Sequence, residues 1–324
     1  MELQSILALL ADGQYHSGKD LGELLGVSRT AVWKHLQKLE AYGVPLESVK
    51  GKGYRLPGGL ELLGANRIKG SLGGLAQSML SELLVCESTD STNRMAMERA
   101  QQGGAHGYVC LAEHQTQGRG RRGRQWQSPY GQSIYLSVVA EFDGGAAALE
   151  GLSLAVGVAL VRALARAGVE SAGLKWPNDI LVDGRKLAGI LLEMSGDVAG
   201  LCQVVVGVGL NVSVAPGAAD IDQPWVDVAE LVPDVSRNDL VGFILDELLP
   251  LLMTYSQLGF AAYRREWESL HVYQGMEVEL NTVSQSSSGV ALGVTEAGAL
   301  RVSIGGVEQL FNGGEVSLRA SAAS

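Results

Sequence analysis

The chain has 324 residues, 46% of them apolar and 19% charged, with a formal net charge of −10. That balance describes a globular chain with a sizeable core, and the length suggests about two domains, or three if small modules are appended. Acidity on this scale argues against a protein that coats nucleic acid non-specifically, yet it leaves room for a small DNA-reading module whose charge is local.

Cys86, Cys110 and Cys202 are scattered and odd in number, without metal-ligand spacing, which points to reduced thiols in a cytoplasmic protein. The opening "MELQSILALLADGQ" carries acid where a secretory leader would carry base. No uninterrupted apolar run reaches ~18 residues, the length a membrane span needs.

The first helix is expected over Leu3–Ala11. Ser17 caps a second, with Asp20 three residues on as an acidic variant of the capping box; that helix stops at Gly26. Ser28 caps a third, "RTAVWKHLQKLEAYG", ending at Gly43, in which Val32, Leu36 and Leu39 form one apolar stripe. Its other face carries Thr30, Trp33, Lys34 and Gln37, with Arg29 and Lys38 beside it. Next, "LESVKGKGYRL" reads as a hairpin wing with Lys50, Lys52 and Arg55 in reach of phosphate. A helix, a glycine turn and a capped helix with a polar face make a helix-turn-helix, expected to read a major groove through Ser28, Arg29, Thr30, Trp33, Lys34, Gln37, Lys50 and Lys52. A three-helix protein-interaction module fits the same pattern; the basic wing favours DNA. "RLPGGLELLGANR" (55–67) then reads as a hinge.

From about 66 to 270, β-type runs alternate with two helical tracts. "ESTDSTN" (87–93) lies between a strand and a helix, where Ser91 or Thr92 can cap the helix and leave backbone N–H groups facing a ligand. "QTQGRGRRGRQW" (115–126) follows the strand "YVCLAE" and packs four arginines without an acid. Its glycines let the backbone approach a ligand while guanidiniums converge on an anion; a disordered basic loop is the alternative. No "GK[ST]" follows, so it is not a Walker A loop. "LKWPNDILVDGRKLAGILLE" (174–193) reads as two strands joined at Asp183–Gly184, with Lys175 at a strand end and Pro177 interrupting the pairing. "VVVGVGLNV" (204–212) reads as a buried strand in which Gly207 and Gly209 allow close approach and Asn211 can bond something polar. From near Gly275, short β-type runs divided by glycine and serine suggest a small barrel.

Taken together, the winged module, "STN", the arginine loop, "KWPND…RKLAGIL", "GVGLNV" and the closing "GGEVSLR" resemble the biotin–protein ligases, and most closely the bifunctional kind that doubles as the biotin operon repressor. Relatives often carry lysine where Gln125 precedes the tryptophan. The resemblance implies an α+β protein with a winged helix-turn-helix (1–64), a mixed-sheet catalytic domain (65–270) and an SH3-like β-barrel (271–324). It implies that biotin and Mg-ATP give biotinyl-5′-adenylate, from which biotin passes to a lysine of a biotin carboxyl carrier protein. Ser91, Thr92, Asn93, Gln115, Gly118, Arg119, Gly120, Arg121, Lys175 and Gly189 would bind biotin. Arg121, Arg122, Arg124, Trp126, Asn178, Asn211 and Trp225 would hold ATP or the adenylate, with Lys175 and Arg121 catalytic. The adenylate-bound protein would form a homodimer on operator DNA, its Mg2+ arriving with ATP. A lipoate–protein ligase and a non-catalytic biotin-responsive repressor are the competing readings.

Overall fold

The computed structural model describes residues 2–196, 200–215, 223–281, 286–313 and 317–320. At the amino terminus α1 (Glu2–Leu10), α2 (Gly18–Leu25) and α3 (Arg29–Ala41) pack on one another, followed by the hairpin β1 (Glu47–Val49) and β2 (Gly53–Arg55). Both expected caps form: Ser17 Oγ accepts from the Asp20 N–H at 3.1 Å, and Ser28 Oγ from the Ala31 N–H at 3.2 Å. The α3 stripe Val32, Leu36 and Leu39 is buried against Ile6, Leu7, Leu10 and Leu21. Helix α3 ends at Ala41, short of Gly43, whose φ of 73° belongs to the turn beyond.

The segment read as a hinge is anchored. Leu60 and Leu62 pack on the amino-terminal core, the Leu63 N–H donates to Glu113 at 2.5 Å, and Asn238 Nδ2 donates to Glu61 at 2.9 Å. Arg237 donates to the Glu61 carbonyl and pairs with Glu113 at 2.8 Å, both side chains being 4% exposed. The buried charged pair is thereby engaged from several sides, although Arg237 Nε has no hydrogen-bond partner among the described residues.

The central domain begins with α4 (Ala65–Ser71) and α5 (Gly74–Met79), then runs β3 (Glu82–Thr89), α6 (Thr92–Ala100), β4 (Tyr108–Gln115), β5 (Ser133–Phe142) and α7 (Leu152–Arg166). Strands β6 (Gly173–Lys175), β7 (Asp179–Val182), β8 (Arg185–Gly196) and β9 (Cys202–Asn211) follow, then α8 (Val228–Leu231), α9 (Arg237–Leu258) and α10 (Ala261–Leu270). Among the described residues seven α-helices form where two tracts were expected; three of them, α4, α5 and α8, have seven, six and four residues, too few to show a helical period. The seven-stranded sheet has the order β3-β4-β5-β9-β8-β7-β6; only β3 and β4 pair in parallel.

Strand alternation decides what each face does. In β9, Val204, Val206, Val208 and Leu210 join the main core with α7 and α9, while Val205 packs with α6 on the opposite face. Ala147–Arg166 is apolar and long enough to cross a membrane, but 61% of it is buried, and α7 is the core helix beneath the sheet.

The carboxyl-terminal domain is a five-stranded antiparallel sheet of β10 (Glu277–Asn281), β11 (Ser286–Val294), β12 (Leu300–Ile304), β13 (Val307–Phe311) and β14 (Ser317–Ala320), ordered β13-β12-β11-β10-β14. A register shift between Ala291 and Gly293 marks a bulge, the kind of irregularity by which small barrels curve. Residues 314–316 of "GGEVSLR" lie outside the described residues.

Candidate functional site: a cationic cavity on a glycine floor

The register of three antiparallel strands writes the floor of the site. Ser137 of β5 pairs with Gly207 of β9, which pairs with Leu191 of β8; one row along, Tyr135, Gly209 and Gly189 align. Two glycines side by side leave a bare strip of sheet. Asn93 fills the space over Gly207, where a Cβ would overlap its amide, and the Trp126 indole fills the space over Gly209 and Gly189.

Ser91 stands at the N-cap position of α6, but its hydroxyl makes no capping bond, which differs from the expectation. Asp90 takes the Ser91 N–H at 2.6 Å and Gln115 Oε1 takes the Thr92 N–H at 2.9 Å, so the first turn is satisfied from outside the serine. Ser137 Oγ lies 2.8 Å from Thr92 Oγ1 and 2.7 Å from Asn93 Oδ1. Gln115 Nε2 donates to Ser128 Oγ at 3.1 Å. The "STN" triplet is therefore held rigidly by β4 and β5.

The arginine loop is an ordered turn. Trp126 N–H donates to the Gly118 carbonyl at 2.9 Å and Gly120 N–H to the Arg124 carbonyl at 2.8 Å, closing a hairpin whose tip is a single helical turn, Arg121–Gly123. Gly118 is required, since a Cβ there would strike the Trp126 carbonyl and Ser128 Oγ. Arg122 itself takes a left-handed φ of 57°. Arg121 turns inward, donating to Asn178 Oδ1 at 2.9 Å and to the Gly313 carbonyl of the carboxyl-terminal domain. Burial, with the nearby Arg122 and Arg124, pushes its guanidinium below the usual arginine range, while Asp179 opposes the shift.

These parts enclose a cavity of about 510 Å³, a size suited to a small organic ligand. Around it the structure brings together Ser91, Thr92, Asn93, Gln115, Arg119, Gly120, Arg121, Arg122, Arg124, Trp126, Lys175, Asn178, Gly189, Asn211 and Trp225. Gly118 lies instead in an adjoining pocket behind the loop. Two amides expected to face nucleotide are employed structurally. Asn178 Nδ2 donates to the Ile190 carbonyl at 2.7 Å, and Asn211 Nδ2 to the Val226 carbonyl at 3.2 Å. Trp225 is placed by a short bridge in which Lys186 N–H donates to Pro224 and Val226 N–H to Lys186. Residues 216–222 of the loop before it lie outside the described residues.

Lys186, within "RKLAGIL", lies on the cavity wall as well, a position that the motif does not mark. Its side chain is 16% exposed, 2.8 Å from the Asp179 carboxylate and 5.4 Å from the Trp126 ring centroid, on the cavity wall. A bulge between β7 and β8 at Ile180/Leu181 shifts the register there, which no local pattern announces. Ser137 and Glu193 each read in sequence as one more polar residue in a strand, yet both meet Asn93 in the fold.

In the winged module Ser28, Arg29, Thr30, Trp33, Lys34 and Gln37 are all exposed along α3, as are Lys50 and Lys52 on the wing. Arg55 differs from the expectation. It pairs with Glu47 at 2.7 Å and lies over the Tyr15 ring, so it braces the wing rather than pointing at phosphate.

Among the described residues no cluster of three or more His, Cys, Asp or Glu side chains could hold a metal, and no histidine or cysteine lines the cavity. Residues 85–211 match the biotin/lipoate A/B protein ligase family and residues 2–55 an HTH domain. The chain is 38% identical to the bifunctional ligase/repressor BirA of Escherichia coli (strain K12) over 98% of its own length and 97% of the relative's. It is 31% identical to the bifunctional ligase/repressor BirA of Bacillus subtilis (strain 168), covering 93% and 94%. A solved biotin protein ligase from Aquifex aeolicus, in complex with biotin and ATP, superposes with a TM-score of 0.65 at 28% identity, covering 75% of this chain and 100% of that one.

Proposed function

The chain belongs to the biotin/lipoate A/B protein ligase family, in the branch of the bifunctional ligase/repressors, and we propose that it is an ATP-dependent biotin–protein ligase that also represses a biotin biosynthetic operon. The single observation that carries this reading is the cavity, where arginines and two lysines converge above a floor stripped to glycine.

The biotin carboxylate is itself the nucleophile. One of its oxygens bonds the α-phosphorus of ATP as the bond to pyrophosphate breaks, giving biotinyl-5′-adenylate. The amine of an acceptor lysine then attacks the acyl carbon, and AMP departs with the bonding pair. No enzyme nucleophile is required, so the residues act by positioning and by charge. On this reading Ser91, Thr92, Asn93 and Gln115 bind biotin on the glycine floor. Lys175 and Lys186 flank the reacting carboxylate and phosphate. Arg119, Arg121, Arg122 and Arg124 hold phosphate oxygens, and Trp225 closes over the adenine. The Trp126 indole N–H, buried and without a partner among the described residues, is a donor that a ligand oxygen would satisfy.

Mg2+ belongs with the nucleotide. A magnesium ion commonly uses one or two carboxylates plus substrate phosphates, and among the described residues Asp179 is the carboxylate on the cavity wall; bound there, the ion would neutralise charge on the departing pyrophosphate.

The carrier is a biotin carboxyl carrier protein and the DNA partner a two-fold operator, bound by an adenylate-loaded homodimer in the cytoplasm. The chain divides on this reading into 1–64 for DNA, 65–270 for chemistry and 271–324 as a flanking barrel. Adenylate binding and DNA binding are then linked, each strengthening the other by the same factor.

Pyrophosphate exchange run separately with biotin and lipoate tests the assignment, followed by transfer to a carrier fragment. Exchange with biotin alone and a mass gain on the carrier lysine are expected. Exchange with lipoate alone would make the chain a lipoate ligase, and biotin binding without exchange would leave only a repressor.

A further inference from the structure

Among the described residues lining the pocket behind the arginine loop, Glu193 is the only carboxylate. It sits on β8 in the row Val139–Val205–Glu193, directly beyond the Ser137–Gly207–Leu191 row of the floor. One carboxylate oxygen accepts from Asn93 Nδ2 at 2.7 Å, and the other lies 3.0 Å from Arg119 Nη1. Arg119 in turn bridges to Gln125 across the base of the loop hairpin. Glu193 thus touches both halves of the binding site, the "STN" triplet and the arginine loop, from behind.

We propose that Glu193 is a positioning residue for the adenylation site, fixing which way the Asn93 amide faces and tethering the base of the arginine loop through Arg119. The first effect follows from donor and acceptor chemistry. An ionised carboxylate only accepts, so Asn93 must turn its NH2 toward Glu193 and its carbonyl toward Ser137 Oγ, 2.7 Å away. Serine then donates to Asn93, and the polarity of the row across the floor is set. Asn93 Nδ2 also faces the Leu191 carbonyl at 3.4 Å, so a neutral amide at 193, which still offers an acceptor, keeps this orientation, whereas an apolar side chain there leaves it weakly held.

The second effect follows from charge. Arg119, Arg121, Arg122 and Arg124 repel one another in a short turn, and Glu193 is the counter-charge at its base. The pair is partly exposed, with side chains 42% and 29% accessible, so the tether is weak in itself. Its leverage comes from where it acts: freeing Arg119 loosens the hairpin that closes over the ligand.

The inference rests on the adenylation reading, and one experiment separates the two. Wild-type protein is first loaded with biotin and Mg-ATP; failure to form an adenylate would overturn the function itself. Glu193→Gln, Glu193→Ala and Arg119→Ala are then compared for biotin KM in pyrophosphate exchange and for release of preformed adenylate, with thermal melting as the folding control. Glu193→Gln is expected to speed release about two- to fivefold, up to the most that an exposed ion pair supplies, with biotin KM within about twofold because an acceptor for Asn93 remains. Glu193→Ala, which leaves Asn93 without that acceptor, is expected to raise biotin KM as well, by about tenfold. In an Arg119→Ala background Glu193→Gln should speed release no further, as partners in one interaction are not additive. Unchanged release in Glu193→Gln overturns the proposal. So does equal acceleration with and without Arg119, or an identical KM in the Gln and Ala variants. If Glu193→Ala melts early, the Gln variant and the double variant decide alone.

Discussion

The indole of Trp126 occupies the space that a side chain at position 209 would need: a Cβ on Gly209 would fall 2.5 Å from Trp126 Cε2 and 2.7 Å from Cζ2. The glycine and the tryptophan are one structural unit, although 82 residues separate them. Gly209→Ala should therefore push the indole off the floor at a cost of about 1–3 kcal/mol, the usual range for an overpacked site. Calorimetry is expected to show weakened biotin binding and a lowered melting temperature, while the even-numbered residues of β9 keep the core intact. Wild-type affinity in this variant would mean that the indole is not part of the ligand wall.

Lys186 offers a kinetic prediction. It is one of two lysines on the cavity wall and is held by Asp179 at 2.8 Å. If it stabilises charge as the carboxylate meets the phosphate, Lys186→Ala should lower the rate of adenylate formation by about 10²–10³, the loss typical of one such donor. Transfer from chemically supplied biotinyl-5′-adenylate should fall far less. Rapid-quench measurement of the two half-reactions separates them, and an equal loss in both would assign Lys186 to general binding.

On the wing, Lys50 and Lys52 are exposed whereas Arg55 is engaged by Glu47. Replacing both lysines with alanine should weaken operator and random DNA alike and reduce the log–log salt slope by about two. Gln37→Ala, on the exposed face of α3 proposed to read bases, should instead relax sequence preference. Fluorescence anisotropy at several salt concentrations checks both. Arg55→Ala is expected to lower the stability of the module, with the salt slope unchanged.

His271 predicts an acid sensitivity. It is 5% exposed, lies 4.6 Å from the Trp267 ring in a stacked pair, and bridges in parallel to Leu174, next to Lys175. Burial lowers its pKa to about 4. A histidine depressed in the folded state stabilises the protein above its unfolded value near 6.5. That stability is lost as pH falls from about 6.5 toward 4, because the unfolded chain takes up the proton first. His271→Phe keeps an aromatic ring against Trp267 and removes the titration. Its melting temperature should fall less steeply than the wild type's over that window; parallel curves would exclude His271 as the cause.

Local chemistry made part of this protein legible in its sequence. The caps at Ser17 and Ser28, the α3 stripe and the wing depend on residues a few positions apart, and all of them form. The same holds for the alternation in "VVVGVGLN", where valine marks the core face and glycine the cavity face. The arginine loop was legible because its glycines and arginines occur together. The short α4, α5 and α8 were not, having no room for a period.

What only the tertiary structure decided are matters of register and of distant partners. Gly189 lies beside Gly209 because β8 and β9 pair in one register, and a shift of one residue would send both to the other face. Arg55 became a brace when Glu47 arrived across the hairpin. Lys186 entered the cavity wall through a bulge, and Glu193 reached Asn93 across 100 positions of chain. The sequence alone determined the kinds of element and the chemistry they carry, since propensity, capping and alternation act between near neighbours. Which side chains meet over the glycine floor was settled by strand pairing, because that energy exists only once distant segments share one sheet.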